Sequence, residues 1–134
     1  GYLKALSENN MPFNREYRIL GNYDSRGAYN ETMKFLKKHK EITAIFAISD
    51  IMAMGCAKAI KDSGLIVGKD ISIIGFDGMD ISEFYNPTIT TVIQPKVEMA
   101  KISVDLLLDL MANKTDNKHI ILNTELVERE STKI

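Results

Sequence analysis

Strand-length apolar runs alternate with amphipathic segments along the chain. TAIFAIS at residues 43–49 and DISIIGF at residues 70–76 are apolar without polar alternation, which is typical of strands in a sheet covered on both faces. EYRIL at residues 16–20 is a further short strand candidate, and residues 88–93 are β-branched at nearly every position, which favours extended backbone.

Between these candidates, apolar residues recur at helical spacing. Residues 1–9 have the pattern of a helix end, and residues 25–40 carry Tyr29, Met33 and Leu36 at i, i+4 and i+7. A second helix is predicted to begin at Asp50 as its N-cap and to end at Gly64 as its C′ residue. Strands that alternate with amphipathic helices predict a doubly wound α/β fold around a parallel sheet.

The segment that Pro95 opens has the pattern of an unusually apolar helix. Its polar side chains form one narrow stripe, and most of its remaining circumference is apolar, so another part of the protein or another chain must cover it. The stripe consists of Glu98, Lys101, Asp105 and Asp109. Residues 114–118 are predicted to form a turn, and residues 119–131 are predicted to return as a strand.

Composition limits the functional classes. The 134 residues fit one small domain, and the net charge of -1 argues against nonspecific nucleic-acid binding by this stretch alone. Cys56 is the only cysteine, so no internal disulfide can form, and a reduced, cytoplasmic setting is compatible. No apolar run approaches the ~20 residues that a membrane span needs. Gly1 is not a start methionine and no signal-peptide pattern follows it, so we expect a fragment or a processed product.

Three segments that follow predicted strands supply candidate site residues. In an open parallel sheet, ligands bind beyond the carboxyl ends of the strands, and residues 21–24, 49–50 and 76–78 should share that edge. They offer an aromatic ring, a hydroxyl, amides and carboxylates, which suit a polar small molecule. The main candidates are Tyr23, Ser49 and Asp77, with Asn22, Asp50 and Phe76 as secondary candidates.

Each candidate also has a purely structural interpretation. Asp50 is better explained as a helix cap than as a ligand contact, Asp77 before Gly78 could only form a turn, and Tyr23 could cover a helix end. His39 and His119 have no partner at metal-ligand spacing, so we expect no metal site. No cofactor motif, nucleophile elbow or acid/base pair is present, and the sequence does not indicate an enzyme.

Four motifs in order resemble one family. They are D-x-M-A-x-G from Asp50, then G-F-D at residues 75–77, P-x-x-T-T-V-x-Q at residues 87–94, and a terminal R-x-S-T piece at residues 129–132. Together they are similar to the effector-binding domain of the LacI/GalR family of bacterial transcription regulators, and the similarity extends over almost the whole chain.

The resemblance implies a two-lobed, periplasmic-binding-protein-like fold with a small polar effector, sugar-like or purine-like, in the cleft between lobes. Hinge closure would then change how an N-terminal helix-turn-helix headpiece sits on operator DNA. Asp77 matches the family's ligand-contacting aspartate, Tyr23 an aromatic that packs on the ligand, and Ser49 a polar contact before the capping Asp50.

The resemblance also implies a division of the chain. Residues 1–89 would form most of the second lobe, residues 90–118 a crossover segment and helix belonging to the first lobe, and residues 119–134 a returning strand. The headpiece and most of the first lobe lie outside this sequence, and the parent would be a cytoplasmic homodimer without a cofactor. Ala100 stands where the family usually has glycine, and Ser49 is smaller than the asparagine of some sugar-responsive members.

Two other functions are compatible with this fold class. A periplasmic sugar-binding protein would need a secretion signal and would lack a headpiece, and the terminal and T-T-V-x-Q motifs favour the regulator. A small α/β hydrolase is disfavoured because no nucleophile with a placed base is visible.

Overall fold

The computed structural model describes residues 1–112, 114 and 119–132. Its helices are α1 (Tyr2–Glu8), α2 (Ser25–Lys38), α3 (Asp50–Asp62), α4 (Ile81–Phe84) and α5 (Lys96–Met111). Its strands are β1 (Ala44–Phe46), β2 (Ser72–Asp77), β3 (Thr90–Ile93) and β4 (Glu125–Val127), and 3-10 turns occupy Arg15–Tyr17 and Glu130–Thr132.

One four-stranded sheet organises these elements in the order β1-β2-β3-β4. β2 pairs in parallel with β1 and with β3, whereas β4 pairs antiparallel with β3. Parallel neighbours need crossover connections, and α3 supplies the one between β1 and β2. The predicted α/β fold with a mainly parallel sheet is therefore confirmed.

The core lies where α3 packs between α2 and the sheet. Eight of the thirteen residues of α3 are buried, and Ile60 packs in one apolar cluster with Ile73 of β2 and with Ile89. Close contact between the two helices depends on Gly55, because a β-carbon there would lie 2.2 Å from the Ser25 carbonyl oxygen. Helix α3 therefore has little freedom to shift relative to its neighbours.

Helices α2 and α3 fall where the sequence predicted them. Asp24 caps α2, with its Oδ1 accepting from the Gly27 amide at 2.8 Å. Gly64 follows the end of α3 with φ of +78°, as predicted for a C′ residue. Cys56 is buried within the core, as its position on the apolar face indicated.

Two strand predictions were wrong in whole or in part. Residues 16–20 are not a strand, because Asn14 Oδ1 accepts from the Glu16 amide at 2.9 Å and turns the backbone into the 3-10 turn Arg15–Tyr17. Of residues 119–131, only Glu125–Val127 form a strand. The predicted turn at 114–118 lies outside the described residues except for Lys114.

The chain end is attached to the sheet by a buried hydroxyl. Ser131 Oγ donates to the Ile73 carbonyl at 2.6 Å and accepts from the Thr90 amide at 2.8 Å. Arg129 adds an ion pair to Glu83 at 2.6 Å and a hydrogen bond to the Ile89 carbonyl. The terminal R-x-S-T motif therefore has a structural role in joining β2 and β3.

Helix α5 is formed as predicted but none of its described residues is buried. Val97 is 85% exposed, and Val104, Leu107 and Leu108 are all more than half exposed. Within this chain, its apolar surface is left largely uncovered. No helix of the described residues is long and apolar enough to cross a membrane.

Candidate functional site

The three candidate segments adjoin one another at the carboxyl edge of the sheet. A β-carbon on Gly21 would lie 2.8 Å from Met52 Cε, so the loop before α2 packs on the first turn of α3. Asp50 in that same turn accepts a hydrogen bond from the Met79 amide, two residues beyond β2. The fold therefore brings residues 21–24, 49–50 and 76–79 together, although residues 21–24 follow the 3-10 turn Arg15–Tyr17 and not the strand that was predicted at residues 16–20.

Asn22 and Tyr23 form an exposed corner of this edge. Both have left-handed backbone, with φ of 52° and 58°, and the Tyr23 side chain is 82% exposed. Such backbone is uncommon for residues other than glycine. Asp24 beside it caps α2, and the exposed Tyr23 ring is available for stacking.

Ser49, not Asp50, caps helix α3. The backbone of Ser49 is extended and its Oγ accepts from the Met52 amide at 3.3 Å, whereas Asp50 is already in the helix. The prediction that Asp50 is the N-cap was therefore wrong by one residue. Serine and aspartate serve equally well as caps, so propensity alone could not choose between adjacent Ser49 and Asp50.

Asp50 is instead a buried hydrogen-bond acceptor with 0% exposure. Its Oδ2 accepts from the Met79 amide at 2.6 Å and from Ser82 Oγ at 2.8 Å, and its Oδ1 accepts from Thr91 Oγ1. A carboxylate with all its partners inside the protein has no surface to offer a ligand in this conformation.

Asp77 ends strand β2 in a strained backbone conformation. Its φ is 111°, which is unusual for any residue with a side chain. The side chain is partly buried, and its Oδ1 accepts from Gln94 Nε2 at 2.8 Å. Phe76 before it is also partly buried and lies opposite Val92 of β3. The strain and the amide partner fix the direction of the Asp77 carboxylate.

Two residues after β3 complete this edge, and the sequence reasoning did not single them out. Gln94 holds Asp77, and Lys96 Nζ donates to the Gly78 carbonyl at 2.8 Å. Gln94 belongs to the T-T-V-x-Q motif, which served only as a marker of family. Since β3 is parallel to β2, its carboxyl end reaches the same edge, and that topological argument could have found Gln94.

The chemistry available at this edge is that of binding. It combines a free aromatic face, a helix-capping hydroxyl and an oriented carboxylate, which can accept hydrogen bonds from hydroxyl or N–H groups. Within the described residues, no group of His, Cys, Asp and Glu could hold a metal ion. Burial raises the pKa of the Cys56 thiol, which accepts from Thr32 Oγ1 and stays in the core.

A second, shallow groove lies between α2 and α3, and it begins at their first turns, where Ser25 and Ile51 line it. It is mostly apolar and includes Met54 and Tyr85, with Arg26, Tyr29 and Lys58 at its border. Tyr29 donates to Asp62 at 2.8 Å, and Lys58 bonds to the same carboxylate at 2.9 Å. This hydrogen bond and burial raise the pKa of Tyr29, so its hydroxyl stays protonated near neutrality.

Comparison with known proteins places this chain in a family. Residues 1–132 match the family described as periplasmic binding protein-like domain. The chain is 60% identical over 131 residues to the HTH-type transcriptional regulator MalR of Clostridium butyricum, covering 98% of this chain and 39% of MalR. It is 36% identical over 132 residues to the PurR repressor of Photorhabdus laumondii, again covering 98% and 39%.

Solved structures give the same result. A lac repressor dimer bound to operator and the anti-inducer ONPF matches with a TM-score of 0.89 and 32% identity, over 100% of this chain and 40% of that one. The regulator CelR in complex with cellobiose matches with a TM-score of 0.91 and 27% identity, over 97% and 40%. A LacI family regulator from Enterococcus faecium with bound ribose matches with a TM-score of 0.87 and 28% identity, over 98% and 49%.

The chain thus spans about 40% of the length of the curated relatives it matches. Both the match to residues 1–132 and the similarity to lac repressor extend over almost all of it. This chain belongs to the periplasmic-binding-protein-like domain family, and its relatives confirm the resemblance to LacI/GalR regulators.

Proposed function

We propose that this chain is the effector-binding part of a LacI-type transcription regulator, and that it binds a small polar ligand at the carboxyl edge of its sheet. The observation that carries the proposal is Asp77. Its carboxylate is oriented by a strained backbone and by Gln94, at the edge that also presents Tyr23 and Ser49. Backbone strain at a partly exposed polar residue is a feature of ligand sites.

A sugar-like ligand fits this arrangement best. A carboxylate can accept two hydroxyl hydrogen bonds, and an aromatic ring stacks on the apolar face of a pyranose or of a purine. The similar structures with cellobiose and with ribose favour a sugar. A purine remains the second choice, because the carboxylate could equally accept ring N–H groups.

The uncovered surface of α5 supports the proposed division between lobes. Strand β3 pairs with β2, so the second lobe would extend to Ile93 and not only to residue 89. Residues 94–118 would then cross to the first lobe, before residues 119–134 return. An apolar helix surface as exposed as that of α5 requires a cover in the intact protein. The part of the parent that forms the first lobe would supply that cover and the opposite wall of the ligand cleft.

The parent would contact operator DNA through a separate headpiece. This chain has a net charge of -1, so it lacks the basic balance of a DNA-binding domain. Ligand binding would change DNA affinity by altering how the two lobes close. MalR and PurR, to which the chain is similar, are named as transcription regulators, which favours this function over a periplasmic sugar-binding protein and over an enzyme.

A second copy of the parent is the partner that we propose for the groove between α2 and α3. Apolar residues flanked by tyrosine and arginine are typical of protein interfaces, and the groove has Met54 and Tyr85 beside Tyr29 and Arg26. The similar lac repressor structure is a dimer. A Met54→Glu variant of the full-length protein should shift sedimentation toward monomer, whereas Lys69→Glu, on an exposed loop elsewhere, should not.

The ligand proposal can be tested by thermal unfolding of the full-length protein against cellobiose, ribose, lactose and hypoxanthine. We expect one of the sugars to raise Tm in the wild type and to lose this effect in Asp77→Ala. Asp80→Ala is the matched control, since Asp80 is an exposed carboxylate nearby that makes no side-chain cap hydrogen bond. Equal stabilisation of Asp77→Ala and wild type by the ligand would remove Asp77 from the site.

A further inference from the structure

We propose that Asp50 is a positioning residue for the ligand site. It fixes residues 78–82, the segment that follows Asp77, to strand β3 without touching the ligand. The inference rests on the proposed function for its consequence in binding. Asp50 belongs to the first turn of α3, whereas its partners Met79, Ser82 and Thr91 lie in three other parts of the chain. One carboxylate therefore holds together the elements that meet at the site.

Capping of α3 does not explain this carboxylate. Ser49 already caps the helix, and a capping side chain is normally at the surface, whereas Asp50 is fully buried. Burial of a charged group is costly unless donors surround it. Asp50 has three donors and the positive end of a helix dipole, and the ion pairs of the described residues do not include it. Because both oxygens of the Asp50 carboxylate accept hydrogen bonds from the protein, the position of this side chain is fixed.

Strand β2 is adapted to receive this side chain. A β-carbon on Gly75 would lie 2.2 Å from Asp50 Oδ1, so only glycine at this position lets the carboxylate pass over the strand. Gly75 lies two residues before Asp77, and its partner in the parallel register is Thr91. The Asp50 carboxylate therefore lies against the backbone of β2 at Gly75, close to the carboxyl end of the strand.

Thr91 links the Asp50 carboxylate to Gly78, the residue after Asp77. Its Oγ1 donates to Asp50 and accepts from the Gly78 amide at 3.3 Å. The Gly78 carbonyl accepts from Lys96, and Gln94 holds the Asp77 side chain. The backbone that follows Asp77 is therefore held by Asp50 and Thr91. Gln94 holds the Asp77 side chain, and Lys96 holds the Gly78 carbonyl.

The test uses Thr91 in the full-length protein, because Asp50→Ala would leave three buried donors unpaired and could unfold the lobe. Thr91→Val keeps the shape but removes the link between Asp50 and Gly78, and Thr91→Ser keeps the hydroxyl. Ser131→Ala is the control, since Ser131 is equally buried and bonds to Ile73 and Thr90, near the amino-terminal ends of β2 and β3. Amide hydrogen exchange of the unliganded protein is measured in peptides covering residues 77–82 and 25–38.

We expect Thr91→Val to speed exchange in residues 77–82 about tenfold, as the loss of a hydrogen bond to a charged group implies, with residues 25–38 within about twofold of wild type. Thr91→Ser should restore protection. The Kd for the sugar that stabilises the wild type should rise about tenfold in Thr91→Val and stay unchanged in Ser131→Ala.

Three results would overturn the inference. They are unchanged exchange in residues 77–82 of Thr91→Val, an equal increase in residues 25–38, and an unchanged Kd with faster local exchange. If neither a sugar nor hypoxanthine stabilises the wild type, the proposed function fails on its own, and the exchange comparison still decides whether Asp50 and Thr91 hold the segment.

Discussion

At the scale of single residues, the site depends on backbone conformations that a side chain rarely adopts. Asn22, Tyr23 and Asp77 all have positive φ, and the value of 111° at Asp77 lies well outside the usual left-handed range. Strain of this kind costs of order 1–3 kcal/mol for each residue. A position that keeps a carboxylate despite this cost is one where the carboxylate contributes something other than stability.

Replacing Asp77 by glycine should separate these two effects. Glycine removes the strain as well as the carboxylate, whereas alanine removes only the carboxylate. We expect unliganded Asp77→Gly to be more stable than Asp77→Ala by about 1 kcal/mol, with neither variant stabilised by ligand. Thermal unfolding of both variants measures this difference, and a less stable glycine variant would contradict the strain argument.

Gly75 should tolerate no side chain. Alanine there would place its β-carbon 2.2 Å from Asp50 Oδ1, and relief of that overlap should cost roughly 1–3 kcal/mol of unfolding free energy. Gly64→Ala is the comparison, because no atom lies near a β-carbon at Gly64 and only its φ of +78° opposes the change. Chemical denaturation measures the unfolding free energy of both variants. A smaller loss in Gly75→Ala than in Gly64→Ala would contradict the close packing of Asp50 on Gly75.

At the scale of helices and strands, the distinction between Ser49 and Asp50 has the largest consequence. Ser49 ends the loop after β1 and caps α3, and this leaves Asp50 free to point into the protein. Ser49 can cap the helix and also contribute a hydroxyl to the site. Its two roles call for two substitutions.

Ser49→Ala should destabilise the protein by about 1 kcal/mol through loss of the cap. Ser49→Asn should retain the cap, since asparagine is an equally good N-cap residue, and any change in ligand affinity then reports on the site itself. Urea unfolding of the two variants checks the first expectation. An alanine variant as stable as wild type would mean that the 3.3 Å bond to Met52 contributes nothing.

Strong periodicity made some elements predictable and local hydrogen bonds made others unpredictable. Helices α2 and α3 and strand β2 follow from apolar spacing, because tertiary packing rewards the face that the pattern defines. Residues 16–20 have strand composition, but Asn14 turns them locally. In residues 119–131, composition could not say which backbone groups find a partner strand, and only three residues pair.

At the scale of the whole molecule, α5 is the element that the rest of the chain does not explain. Its sequence predicted a mostly apolar helix that another part of the protein or another chain must cover, and within this chain its described residues are all at least partly exposed. Covering such a surface is worth roughly 25 cal/mol per Å². This free energy gain would favour the docking of α5 against the first lobe that we propose for the parent.

Without that lobe, the chain of 134 residues should self-associate. We expect sedimentation at micromolar concentration to show dimers or larger species, and Leu107→Glu combined with Val104→Lys to shift them toward monomer by breaking the apolar surface. The pair Lys34→Glu and Lys37→Glu on α2 is a control that alters charge on another exposed helix face. If the wild-type chain sediments as a monomer, the expectation that exposed apolar residues of α5 drive self-association is wrong.

The candidate site was predictable in part from topology. Ser49 and Asp77 follow from the rule that ligands bind beyond the carboxyl ends of parallel strands, and their segments adjoin in the structure. Tyr23 was predicted to follow a strand at residues 16–20 that does not form, and the packing of the loop before α2 on α3 places its segment there instead. Gln94 was missed because residues 88–93 were recognised only as extended backbone. The carboxyl end of that strand was not considered as part of the ligand edge. The buried role of Asp50 was not predictable, because partners 29 to 41 residues away leave no local pattern.

Calorimetric titration of the full-length protein tests most directly whether Asp77 recognises a sugar-like effector, as we propose. The sugar that stabilises the wild type is titrated into wild type, Asp77→Ala and Asp80→Ala. Loss of a hydrogen-bonded carboxylate should cost about 2 kcal/mol, or roughly 30-fold in Kd, in Asp77→Ala alone. An Asp77→Ala Kd equal to that of wild type would contradict the account.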